Sequence, residues 1–98
     1  FTMTYAKRVD LNHTEIVKTL RSLGAGVVDM SRVGQGFPDL LVHFQNQSVL
    51  VEVKSGENKK FTQAQLRFIS NWQGPAIVRI NDVEGAIRLM NILKDKND

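Results

Sequence analysis

Apolar residues recur at helical spacing at Ile16, Val17, Leu20 and Leu23, and Gly24 and Gly26 follow at once. That spacing predicts a helix with one buried face, ended by glycine. Asn12 reads as its N-cap, with Glu15 three residues on as a capping-box partner. Residues 1–10 then read as an arm, its Lys7-Arg8 pair solvated. Val27–Met30 is a short strand candidate. Arg32 to Pro38 is a loop marked by Gly34, Gly36 and the proline.

Asp39–Phe44 and Ser48–Lys54 are apolar at nearly every position and flank a polar turn at Gln45-Asn46-Gln47. Such runs predict two strands with both faces covered. After the polar, basic loop Ser55–Lys60, Thr62 is a good N-cap for a second helix. Its inward stripe is Phe61, Gln65, Phe68, Ile69 and Trp72. Gly74-Pro75 stops that helix and Ala76–Ile80 is a fourth strand. Asp82 caps a last helix, in which Ile87, Leu89, Met90 and Leu93 supply apolar surface, and Lys94–Asp98 reads as a frayed tail. The order αβββαβα predicts an α/β fold, a mixed four-stranded sheet flanked by helices.

Ninety-eight residues are enough for a single domain with one core. The chain has no cysteine, which excludes disulfides and cysteine-based zinc sites. No apolar run is long enough to cross a bilayer and no signal-peptide pattern is visible, so no membrane association and a cytoplasmic location are expected. A net charge of +3 is compatible with nucleic acid as a partner and does not by itself require one.

The chemistry lies in Val49-Leu50-Val51-Glu52-Val53-Lys54. Side chains alternate along a strand, so Glu52 and Lys54 share one face while Val49, Val51 and Val53 take the other. Burying charge is costly, and a buried ion pair is often no more stabilising than apolar residues of the same volume. Something other than stability therefore accounts for the pair. The hairpin brings in Asp39. A turn centred on Asn46-Gln47 sets Asp39 opposite Lys54, and one centred on Gln45-Asn46 sets it opposite Glu52. Either two-residue turn gathers all three charges on one face, whereas a three-residue turn would not. Carboxylate oxygens without sulfur or imidazole suit Mg²⁺ or Mn²⁺, with the backbone carbonyl of Val53 as a further ligand. Beside a lysine that can orient or deprotonate water, this donor set suits phosphodiester hydrolysis.

Pro38-Asp39, followed after twelve residues by Glu52-Val53-Lys54, resembles the signature of the PD-(D/E)XK nucleases. The predicted element order is similar to that family's core. The resemblance is nearest to the minimal VRR-NUC branch, found in phages and prophages, and it extends to the archaeal Holliday-junction resolvases. It runs from about Asp10 to Ile80. It implies catalytic roles for Asp39, Glu52 and Lys54. It adds Glu15 as a glutamate of the first helix that shares the site and its metal, and Gln65 as the glutamine that follows the lysine. Ser31 is a candidate for the hydroxyl that some resolvases use. The residue after the first-helix glutamate is often basic in the archaeal resolvases and is Ile16 here.

The expectation is a divalent-metal-dependent DNA endonuclease, selective for a four-way junction or a flap, working as a homodimer without a small-molecule cofactor in a bacterial or phage-infected cell. The alternative is a DNA-binding module that keeps the nuclease fold and does not cut; a purely structural interaction domain would tolerate Lys54→Met. Arg32, Gly34 and Gly36 are candidates for close approach to DNA, and Lys59 and Lys60 for phosphate contact. His43 reads as structural, His13 as solvated, and Phe68 and Trp72 as core.

Overall fold

The computed structural model describes residues 2–56 and 59–97, the side chains of residues 2–11 and 97 excepted. The Lys7-Arg8 side chains and part of the Ser55–Lys60 loop thus lie outside the described set. The elements run α1 (Thr2–Ser22), β1 (Gly26–Asp29), β2 (Leu40–Phe44), β3 (Gln47–Val53), α2 (Gln63–Asn71), β4 (Ile77–Ile80) and α3 (Val83–Asn97). This is the order read from the sequence, in one sheet of order β1-β2-β3-β4. The pairs β1–β2 and β2–β3 are antiparallel, and β3–β4 is parallel.

Two ends differ from the sequence reading. The segment expected as an arm is helical from Thr2. No glycine or proline interrupts Thr2–Ser22, so nothing in the backbone starts the helix at Asn12. Asn12 is interior to α1, and its amide donates instead to the carbonyl of Asn81 at 3.3 Å. At the other end α3 continues to Asn97, through the tail expected to fray, with Lys94 and Lys96 in the last turn, where cations favour the helix dipole.

The caps are otherwise where the sequence put them. Gly24 ends α1 at φ +106°, with Gly24 N–H donating to Arg21 O and Ala25 N–H to Leu20 O. These are the two bonds of a Schellman motif. Thr62 caps α2 and exchanges side-chain and backbone bonds with Gln65. Asp82 Oδ1 accepts from Gly85 N–H at 2.8 Å at the start of α3.

The core lies on one face of the sheet. Ile16 and Leu20 of α1 and Ala86, Leu89, Met90 and Leu93 of α3 pack there with Leu40, Val42, Val49, Val51 and Ile80. Burying each large aliphatic side chain contributes about 1.5–3 kcal/mol. Ile87, read as part of this surface, is exposed. The helix α2 serves the opposite face and contains no fully buried residue. Its Phe68 and its C-cap Trp72 are not in the main core. They pack with Phe37 in a separate cluster, Phe68 stacked on Trp72 at 4.9 Å and Phe37 edge-on to Phe68 at 5.1 Å. Among the described residues, no helix is long and apolar enough to cross a membrane.

Candidate active site

The tight turn of the β2–β3 hairpin decides where the charges meet. Gln45 and Asn46 have φ of 47° and 68°, the pair of left-handed residues that a two-residue type I′ turn requires. The resulting register pairs Phe44 with Gln47 and Leu40 with Val51. The next rung sets Asp39 opposite Glu52, the second of the two two-residue alternatives. Lys54 follows two residues later on the same face.

Asp39 is held by the backbone beside it. The loop bends away at the buried Pro38, which has no N–H, and the ladder on this edge of β3 ends at Leu40. Asp39 Oδ2 then accepts the Val53 N–H at 2.9 Å, while its own carbonyl accepts from Met30 N–H at 2.7 Å. A residue's N–H and C=O point to the same side of a strand, so the Val53 carbonyl faces the side on which Asp39 stands.

Glu52 lies on an inner strand and is 5 % exposed. Among the described residues it is the only charged one in the buried class. Its Oε2 accepts from Gln65 Nε2 and lies 3.8 Å from the Lys54 ammonium. Gln65 is itself oriented. Its Oε1 accepts from Thr62 N–H at 2.8 Å, so the capping box that starts α2 turns the amide nitrogen toward Glu52. The Lys54 ammonium sits 5.7 Å from the centre of the Phe61 ring, within cation–π reach.

Burial and then the neighbouring Asp39 charge raise the Glu52 carboxyl to about 7, with Lys54 opposing them. Between its ordinary value of 4.5 and about 7, the folded chain keeps a proton that the unfolded chain has released. Glu52's contribution to stability is thus present at low pH and lost as pH rises through that window. Glu52→Gln is expected to gain on wild type in thermal melts at about pH 8 relative to about pH 4. A difference between the two proteins that does not change with pH would overturn this account.

A cleft of about 370 Å³ opens here, lined by Asp39, Glu52, Val53, Lys54 and Lys59, with Asn12 and His13 of α1 and Ser55 at its edge. The structure thus brings together Asp39, Glu52, Lys54 and Gln65, with Val53 between the charges. It does not bring in Glu15, which is exposed on α1 and absent from the cleft lining. Asn12 and His13 hold the α1 side of the cleft instead. Their signal was spacing: Asn12 stands four residues before the buried Ile16, and His13 four before the half-buried Val17, on a helix read as starting too late. The His13 Nε2 is buried, 3.5 Å from Asp29 Oδ2, and makes no hydrogen bond.

Ser31 turns away from the cluster. Its hydroxyl and amide both donate to Asp29 Oδ1, and these bonds hold the Asp29 carboxyl below its usual range. His43 bonds the Ser48 hydroxyl across the hairpin at 2.8 Å, a structural contact as read from the sequence. Lys59 reaches the cleft, whereas Lys60 and Arg32 are exposed elsewhere. Gly34 has open space beside it at φ +76°. Gly36 is used for packing: a Cβ there would overlap the Ala64 carbonyl at the start of α2.

The two carboxylates can serve a divalent cation. Among the described residues no third histidine, aspartate or glutamate joins them to make a group of three. Mg²⁺ needs only one or two protein carboxylates because it keeps much of its water. Burial first, and then the Asp39 charge, raise the Glu52 carboxyl, and a dication held between the two carboxylates would oppose both effects.

The chain matches no protein-family model, no curated protein and no solved structure.

Proposed function

We propose that the chain is a divalent-metal-dependent endonuclease of the PD-(D/E)XK kind, hydrolysing phosphodiester bonds of DNA. The observation that carries this reading is a buried Glu52 pressed against Asp39 and Lys54 at the mouth of a cleft. Such a cluster costs stability, and burial with a like charge nearby is the arrangement functional sites use to shift proton affinity.

Asp39, Glu52 and the Val53 carbonyl would hold Mg²⁺ or Mn²⁺. When bound, the ion supplies Lewis acidity toward the phosphate and its leaving oxygen. The remaining roles fall to side chains. Gln65 fixes the Glu52 carboxylate through a bond that α2's own cap preorganises. Lys54 orients the attacking water and steadies the charge that grows on the phosphate as the new P–O bond forms. The attacking water gives up a proton to solvent as its oxygen bonds to phosphorus, and the leaving sugar oxygen departs with the electrons of the broken P–O bond and takes up a proton from solvent. Lys59, in the cleft lining, adds positive charge for a phosphate. The small size of the domain supports a homodimer that presents two such sites to a branched substrate, either a four-way junction or a flap.

The test is cleavage of labelled duplex, flap and four-way-junction DNA in Mg²⁺, Mn²⁺ or EDTA. Cutting is expected in the metals alone, with the branched substrates preferred. DNA binding with no cutting in either metal would leave a binding module on this fold and overturn the enzyme reading.

A further inference from the structure

A second groove, of about 640 Å³, runs along α2 beside the 32–38 loop and is lined by Gln35, Ala64, Arg67, Phe68, Asn71 and Trp72. Its aromatic rings are not core residues: they lie outside the main cluster, and both stay partly in solvent. Both rings line the groove and can be reached from it.

The rings are nevertheless held still. Trp72 Nε1 donates to the Pro75 carbonyl at 2.8 Å, and Gly74 packs so closely that a Cβ there would overlap the indole. Phe68 stacks on Trp72 with its ring plane 26° away. Phe37 meets Trp72 edge-on at 6.2 Å. A rigid ring loses little entropy when a ligand stacks on it.

The rim decides what the ligand is. Of the described residues that line the groove, only Arg67 is charged; Gln35 supplies an amide, and so does Asn71, whose nitrogen also donates to the Arg67 carbonyl at 3.1 Å. Flat π-faces, one cation and amide donors suit a base and its phosphate. An acidic neighbour, which would repel a phosphate, is missing from the lining. The groove and the first site share the helix α2. Ala64 lines the groove, and the next residue, Gln65, holds Glu52.

We propose that this groove is a subsite for an unpaired nucleobase of a DNA strand, which stacks on the Phe68–Trp72 pair while Arg67 takes the adjoining phosphate. It rests on the reading of the neighbouring cleft as a DNA-cutting site. It makes single-stranded or branched DNA, with its unpaired bases, the substrate class that the surface selects.

Trp72 is the chain's one tryptophan, so its emission reports on the groove alone. The experiment titrates the whole chain in EDTA with oligothymidylate and with a blunt duplex of equal length. The single strand is expected to quench Trp72 and the duplex to do so weakly or not at all. Phe68→Leu and the exposed Arg67→Ala should each weaken the single-strand titration roughly tenfold. Arg67→Ala keeps the test alive if Phe68→Leu does not fold. Quenching by the single strand with no cutting of any DNA would uphold the subsite and sink the nuclease reading. Metal-dependent cutting without quenching would do the reverse. Equal quenching by both DNAs would overturn the preference for an unpaired base. Emission that follows protein concentration and ignores DNA would give the groove to a second copy of the chain and overturn the proposal.

Discussion

Lys54→Ala is expected to cut DNA about 10²–10⁴-fold more slowly than wild type, the range for removing a positioned acid–base or charge-stabilising group. Asp39→Asn should lose at least as much, because it halves the negative charge available to a divalent ion. The two variants differ in what they do to the fold. Asparagine keeps a side-chain oxygen where Asp39 accepts the Val53 N–H, so the hairpin end is preserved. It also removes the charge that helps to raise Glu52, so the variant should be more stable than wild type above about pH 7. Lys54→Ala acts in the opposite sense. It takes away the ammonium that opposes the rise, leaves the buried Glu52 facing the Asp39 charge with only the neutral Gln65 amide beside it, and should melt earlier than wild type in the same range. Cleavage rates with Mg²⁺ and melting curves on the same samples separate chemistry from folding. Undiminished cutting by either variant would remove that residue from the site.

These effects concern residues that the strand pattern made visible. Glu52 and Lys54 stand out because they interrupt an otherwise apolar strand, and strand alternation alone puts them on one face. The position of Asp39 depended on one residue of turn. Gln45-Asn46 and Asn46-Gln47 are both polar, and neither contains the glycine that would have chosen between them. Left-handed φ at Gln45 and Asn46 makes that choice in the folded chain. Gln65 was legible as a polar residue on an inward stripe and as the glutamine that the resemblance places after the lysine. The structure adds a second task, since one end of the amide serves the Thr62 cap and the other serves Glu52.

What was not legible came from local signals that tertiary structure overrides. Asn12 and Glu15 match a capping box, yet α1 begins at Thr2, because an uninterrupted run without glycine or proline can extend as far as packing allows. The misplaced start hid Asn12 and His13 and pointed attention to Glu15, one residue off the face that meets the cleft. Phe68 of α2 and its C-cap Trp72 sit at core spacing, but α2 has no fully buried residue and both rings pack outside the main core, partly in solvent. Hydrophobic periodicity shows which face turns inward and not how much cover that face finds. The glycines of the 32–38 loop were read as room for DNA, and at Gly36 the room is taken by the protein's own backbone.

Gly36→Ala should therefore be among the most damaging substitutions outside the charged cluster. The residue has φ +82°, a conformation that costs a side chain about 1–3 kcal/mol. Its Cβ would also lie 2.9 Å from Gln65 N and overlap the Ala64 carbonyl, and neither is a side-chain end that could swing aside. Overpacking of that kind adds about 1–3 kcal/mol. Gly34→Ala is the control, since its φ of +76° carries the same backbone cost with nothing within 4 Å of the new methyl. The expected result is a larger fall in Tm for Gly36→Ala, with each kcal/mol worth about 4–8 °C in a chain of this size. The damage should reach the chemistry as well. Relief of the overlap requires the loop that ends in Pro38-Asp39 or the start of α2 with Gln65 to back away, and both carry groups that meet Glu52. Gly36→Ala should then cut DNA more slowly even at temperatures where it is fully folded, while Gly34→Ala should not. Equal losses of Tm in the two variants would mean that the close approach to Ala64 does not hold in solution, and that Gly36, like Gly34, is there only for its turn.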